Sequence, residues 1–250
     1  MLQIFKGGAS PSTLNRRSLL IAGLMLLLLL LAGAAVVAFQ QGLIPARYSP
    51  LPLLNLDHPS RFFLDWQLAE LRREPELCRR VLTAPHIDAA AVTDNPVRNG
   101  CGWVNSVRLA VVGGARISVD KLSCEASAAF ALWMAHDVQP LARSLLGERV
   151  ASVRHVGTYA CRNIAGSRFW KHVRSEHATA NAIDIAGFTL ADGRTISVLK
   201  HWSGAAEFSA FLRAVHQRAC RYFRGALGPE FNAAHRNHFH LDRGTLSACR

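Results

Sequence analysis

Apolar residues run without a single charge from Ser18 to Phe39, whereas beyond that point apolar and polar positions interleave with periods near two or near four. At 1.5 Å rise per residue an uncharged stretch of this length can cross a hydrocarbon core about 30 Å thick. Lys6, Arg16 and Arg17 precede it with no acid among them, and the next basic residue is Arg47. The positive-inside rule therefore puts residues 1–17 in the cytoplasm and everything beyond Phe39 outside it. Two readings stay open. One is an uncleaved single-pass anchor over 18–39, which we expect because cleavable signals carry apolar cores of only about 7–15 residues. The other is a signal peptide cleaved after Val36-x-Ala38. Pro45, Pro50, Pro52 and Pro59 mark 40–60 as an extended spacer, leaving 61–250 as the folded domain.

Within that domain, residues 62–82 have helical spacing interrupted near Pro75. Val104–Val112 and Arg116–Val119 alternate as two strands of a hairpin turning at Gly113-Gly114. Ser123 caps a predicted helix from Cys124 to about Leu146, with a kink expected at Pro140. Arg149–Tyr159 reads as a strand. Asn181–Leu190 and Arg194–Leu199 read as a hairpin about Asp192-Gly193, Glu207–Phe223 as a helix, and His238–Leu241 as a short last strand. The sum is an α+β fold, a small antiparallel sheet with flanking helices, behind one transmembrane helix.

Composition narrows the partner classes. Half the chain is hydrophobic and only 18% charged, which excludes a disordered chain. Removing 1–39 leaves 26 Lys+Arg against 17 Asp+Glu, so the exported part remains strongly basic. Nucleic acid is not expected outside the cytoplasm; an anionic lipid surface or an acidic wall polymer suits the charge, as does a basic surface with no dedicated ligand. Cys78, Cys101, Cys124, Cys161, Cys220 and Cys249 all lie in the exported part, and an even count there reads as three disulfides. Spacing does not fix their connectivity; pairing neighbours gives Cys78–Cys101, Cys124–Cys161 and Cys220–Cys249. A metal–cysteine cluster is discounted because no C-x-x-C occurs.

The chemistry concentrates in Ser175-Glu176-His177-Ala-Thr-Ala-Asn181-Ala-Ile-Asp184 and His235-Arg236-Asn237-His238-Phe239-His240. A His and an Asp seven apart plus a distant His-x-His supply the imidazole and carboxylate donors that Zn²⁺ accepts, and a catalytic zinc needs three such ligands. On a strand, His238 and His240 share one face. Asp184 stands in an apolar run, where a buried carboxylate needs a partner or a metal. His155, His172, His201 and His216 read individually as structural histidines.

Ser175-x-His177-x-x-Ala180-x-Ala182-x-Asp184 resembles the S-x-H-x-x-G-x-A-x-D motif of the D-Ala-D-Ala metallopeptidases, with Ala180 in place of Gly, and with His238-x-His240 it is similar to the wider group that includes lysostaphin-type enzymes. The run from Tyr159-x-Cys161-Arg162 through SEHATANAIDIAGF to LGPEFNAAHRNHFHLD resembles more closely the bacterial extensin-like C-terminal domain family, over about residues 75–250. The resemblance implies a zinc site of His177, Asp184 and His240, with Arg162 steadying substrate or the developing oxyanion and Tyr159 and Ser175 near the substrate. Asn237 occupies the position where the D-Ala-D-Ala peptidases carry a Glu base, so the acid–base role passes to His238, with Glu176 and His235 in reserve. The function implied is that of a zinc peptidase acting on peptidoglycan, anchored in the bacterial inner membrane with its domain in the periplasm. A non-catalytic wall-binding or division-associated scaffold of the same fold, with envelope proteins as partners, is the rival.

Overall fold

A computed structural model describes residues 16–40, 43, 48, 52–165 and 169–250. Except for Arg16 and Arg17 the expected cytoplasmic segment lies outside the described residues, as does part of the expected spacer. The apolar run forms a helix, α1 (Arg16–Gln40), long and apolar enough to cross a membrane; a membrane span and a signal sequence share that property. From residue 52 onward the chain is laid against the domain: Gln67 Nε2 donates to the Pro52 carbonyl at 2.6 Å, and Leu54 is buried in the core.

Pro75 divides the first helical stretch into α2 (Leu64–Glu70) and α3 (Pro75–Leu82), because proline fits the first turn of a helix but not its interior. Then come β1 (Ile87–Ala91), β2 (Asn95–Arg98), β3 (Cys101–Trp103), β4 (Ser106–Val112) and β5 (Ala115–Ser123). Gly113 and Gly114 both take positive φ and make the expected tight turn. Ser123 caps α4 (Cys124–Trp133), its Oγ accepting from Ala126 N. The kink expected at Pro140 is realised one turn earlier. A wide π turn over Met134–Val138 leads into α5 (Gln139–Leu146), so the proline sits at a helix start and removes no interior bond.

β6 (Val150–Gly157), β7 (Ala182–Leu190) and β8 (Thr195–Ser197) come next, then α6 (Val198–His201), α7 (Ala206–Ala219), β9 (Gly225–Leu227), β10 (Phe239–Asp242) and β11 (Ala248–Cys249). The main sheet has nine strands in the order β1-β4-β5-β6-β7-β10-β9-β11, with β8 beside β7, while β2 and β3 form a separate ribbon. It is larger than expected and mixed: β5 runs parallel to β6, and β11 parallel to β9. Helices α4 and α5 carry the chain over from β5 to β6, and such a crossover permits parallel pairing.

Two of the three guessed disulfides are corrected. The pairs are Cys78–Cys124, Cys101–Cys161 and Cys220–Cys249, and only the last matches the neighbour rule. Cys78 on α3 packs against the start of α4, and Cys101 on the β2–β3 ribbon meets the segment after β6. Proximity is set by packed elements, not by order along the chain.

Candidate metal centre

β7 is a central strand, flanked by β6 and β10. Strict alternation would put Asp184 and Phe188 on one face of it. The strand bulges at Ala186, where Arg154 pairs with Gly187 and the next residue, His155, pairs with Ile185. Phe188 is thereby turned onto the helix-covered face, with its ring 6.2 Å from Trp133 and 5.4 Å from Phe211. Asp184 stays on the opposite face. On β10, Phe239 and Leu241 are fully buried, while His240 and Asp242 alternate to the face of Asp184. His240 and Asp184 are direct cross-strand partners.

His177 arrives from a short 3-10 turn, Glu176–Thr179, capped by Ser175, whose Oγ accepts from His177 N. Ala180 ends the turn at φ 53°, the left-handed region that glycine adopts at least cost. Ala180 O accepts from Ser123 N at 2.7 Å, and Ser123 Oγ donates to Asn181 Oδ1 at 2.7 Å, so the cap of α4 also fixes this loop.

Three atoms converge. His177 Nε2, His240 Nδ1 and Asp184 Oδ1 lie 3.1 Å from one another. Both imidazoles spend their hydrogen elsewhere: His177 Nδ1 donates to Thr158 O at 3.3 Å, and His240 Nε2 donates to Asp242 Oδ2 at 2.9 Å. Two nitrogen lone pairs and a carboxylate oxygen are thus aimed at one buried point. Ligands about 2.0–2.1 Å from a tetrahedral ion stand about 3.3–3.4 Å apart, close to the spacing seen. The donor set fits a metal ion, with Asp242 and the Thr158 carbonyl as the outer partners that orient metal-binding histidines. Among the described residues this is the one cluster of three such donors.

Without metal, a proton on His240 competes for the same point. Burial would lower His240, but its bonds to Asp184 and Asp242 override that and raise it to about 9. Burial would raise Asp184, yet the hydrogen bonds and charges of His177 and His240 hold it far below the usual carboxylate range.

The cluster lies at a cleft of about 500 Å³ whose lining includes His238, His235, Arg162, Ser175 and Glu176. His238 Nδ1 donates to Asn237 Oδ1 at 2.8 Å, which leaves Nε2 as the basic nitrogen, 3.5 Å from Asp184 Oδ1. Burial, reinforced by the charges of His240, His177 and Arg162, keeps His238 below its ordinary value against the pull of Asp184. His235, pinned through Nδ1 to Asn232 Oδ1 at 2.7 Å, is lowered to about 4, first by burial and then by its imidazole neighbours. Burial raises Glu176, whose Oε2 accepts from Asn181. Arg162 is exposed on the cleft wall.

Tyr159 is not among the cleft-lining residues; its ring stands edge-on to Trp103 at 4.9 Å, with Lys121 over the Trp103 ring. Of the histidines read as structural, His155 Nε2 bonds Ser118 O and His201 Nδ1 accepts from Ser197 N, while His216 packs against Trp202 and Phe239; His172 is exposed. Sequence reasoning missed Asp242, although its place two residues after His240 on one strand was a usable signal. It also missed Gly225, where a Cβ would stand 2.0 Å from Asp242 Oδ2, so that only glycine leaves room for that carboxylate.

No curated protein and no solved structure matches the chain at a significant level. A family model does: the one described as "Extensin-like protein C-terminus" matches residues 76–250, a span that contains the His177, Asp184 and His240 cluster, the bulged strand and all six cysteines. The chain belongs to the extensin-like protein C-terminus family.

Proposed function

We propose that the protein is a zinc-dependent peptidase of the D-Ala-D-Ala and lysostaphin type, tethered by α1 to the bacterial inner membrane and acting in the periplasm on peptidoglycan peptides. The observation that carries this reading is the convergence of His177 Nε2, His240 Nδ1 and Asp184 Oδ1 beside the basic nitrogen of His238. A mixed imidazole and carboxylate set suits Zn²⁺, which when bound supplies Lewis-acid chemistry, polarising a carbonyl and acidifying water. His238 is held neutral near pH 7 and oriented by Asn237, so its Nε2 takes a proton from the attacking water and returns it to the leaving amine. Arg162 on the wall supports negative charge developing on the carbonyl oxygen. Asn237, which cannot itself take a proton, thus acts by orienting the imidazole that does.

The test is to incubate the zinc-loaded protein with purified sacculi, with His177→Ala and a chelator as controls, and to read released fragments by mass spectrometry. Chelator-sensitive products absent with His177→Ala support the reading and identify the bond. His238→Ala should keep zinc and lose turnover. The replacement of the peptidase Glu by Asn237 favours a second reading, a non-catalytic peptidoglycan-binding or division scaffold; it predicts sacculus binding with no released fragment.

A further inference from the structure

The cleft wall that carries Arg162 is a loop whose two legs are both held by three consecutive residues of the β2–β3 ribbon. Cys161, at the start of the first leg, is disulfide-bonded to Cys101. Arg174, at the end of the second leg, donates from Nε and Nη2 to the Asn99 carbonyl at 3.1 and 3.0 Å, and from Nη1 to Asn163 Oδ1 at 3.0 Å. Gly100 lies beneath that side chain at φ +77°; a Cβ there would stand 2.8 Å from Arg174 Cγ. Asn99 and Gly100 both take positive φ, as a tight Asn-Gly hairpin requires.

Three described side chains of the wall stand open to solvent. Phe169 is 91% exposed, Trp170 48% and Val173 42%. The legs are joined to each other by Ile164 N to Val173 O at 2.9 Å and Ser175 N to Arg162 O at 3.1 Å. The freedom of the described legs is limited by a covalent link plus a two-pronged guanidinium bond. The metal-type cluster has supports of its own: Asp184 and His240 are held by strand pairing, and the His177 turn by the Thr158 carbonyl and by Ser123 N on Ala180 O, although Ser175 caps that turn and also closes the wall.

We infer that Asn99-Gly100-Cys101 is a positioning bracket that sets the Arg162 wall of the cleft, so that engagement of substrate depends on the bracket and retention of metal does not. The part concerning substrate rests on the peptidase reading; the part concerning the wall does not. The Cys101–Cys161 pair is accordingly a positioning group acting through Arg162, and Arg174, which itself lines the cleft, positions the same wall.

The test compares the full chain with Arg174→Ala, Arg174→Lys and the double variant Cys101→Ser/Cys161→Ser. In the Ala and Ser variants the Ile164, Val173 and Ser175 amides should exchange with solvent at least about tenfold faster. Zinc affinity by chelator competition should stay within about twofold, since the outer partners of the cluster are untouched. Lysine cannot supply the paired bonds, so Arg174→Lys should not restore protection. On sacculi, KM should rise about tenfold with kcat changed by less than about threefold, the signature of lost binding rather than lost chemistry. Unchanged exchange in both the Ala and the Ser variants overturns the bracket, and so does loss of zinc from Arg174→Ala. A wild-type chain without turnover refutes the peptidase reading alone, because exchange and zinc affinity still decide the bracket.

Discussion

His240 Nε2 donates to Asp242 Oδ2 at 2.9 Å across one side of β10, and that bond points the opposite ring nitrogen, Nδ1, at Asp184 and His177. Replacing the carboxylate by an amide should leave the donor triad in place but loosen and lower the basicity of the ring, since one amide oxygen then faces two donors, His240 Nε2 and Gly244 N. Asp242→Asn should therefore weaken metal binding about 10–100-fold, the usual cost of losing an outer partner, and should lower the melting temperature of the metal-free protein near neutral pH, where protonated His240 loses one of its two carboxylate partners. Gly225→Ala should act in the same direction by displacing the Asp242 carboxylate. Chelator competition measures both, and wild-type affinity in Asp242→Asn would show that the bond does not orient the ligand.

Metal uptake should depend on pH with a defined sign. His240 keeps a proton up to about 9, so a metal ion must displace it. Apparent affinity should rise about tenfold per pH unit below that value and level off above it. Because the folded value is raised above 6.5, the contribution of His240 to the stability of the metal-free protein is full below about 6.5 and fades as pH climbs through about 9. Calorimetric titration with Zn²⁺ at two pH values near neutrality decides the matter; a flat affinity contradicts it.

Asp65, on α2 and ahead of the family match, completes a charged network under the site. It accepts from Arg224 Nη2 at 2.8 Å and Arg243 Nη1 at 2.7 Å, while Arg243 also meets the fully buried Glu125 at 2.8 Å. Asp65→Asn should cost about 2 kcal/mol, less than for a wholly buried pair because the Asp65 side chain is half exposed. Burial would raise its carboxyl, but bonds and charge from Arg224 and Arg243 hold it below 3.8. Its contribution is present above that ordinary value and is lost as acid takes pH down toward the lowered one, so the variant and wild type should converge in stability in strong acid. Urea melts at neutral and acid pH give the comparison.

The Cys78–Cys124 bridge is buried on both sides and closes 46 residues. Cys78→Ala/Cys124→Ala should lower stability by about 3–4 kcal/mol. The loss should fall on α3 and α4 in hydrogen exchange; an unchanged midpoint in denaturant would mean that core packing alone holds α3.

Much of the backbone plan was legible because each signal was local. The alternation of Val107 to Val112, the paired glycines 113 and 114, the Ser123 cap and the apolar stripe of Phe211, Leu212 and Val215 each set an element from its own residues. The Ala-rich β1 and the two- and three-residue β11 and β9 escaped, since they carry few β-branched residues and exist through the partners beside them. His177, Asp184 and His240 were readable as candidate ligands from spacing.

What sequence determined on its own was therefore the apolar N-terminal helix, the α+β class, the oxidised cysteines as a set and the donor types. Only the tertiary structure decided which cysteines meet, that the sheet is mixed, and that Asp242, Gly225 and the Asn99 turn serve the site. Side-chain chemistry and short-range periodicity act over a few residues and are written in the chain. The pairing of Cys101 with Cys161 or of His240 with Asp184 joins residues 60 and 56 positions apart, and such distances close only when strands register and helices pack.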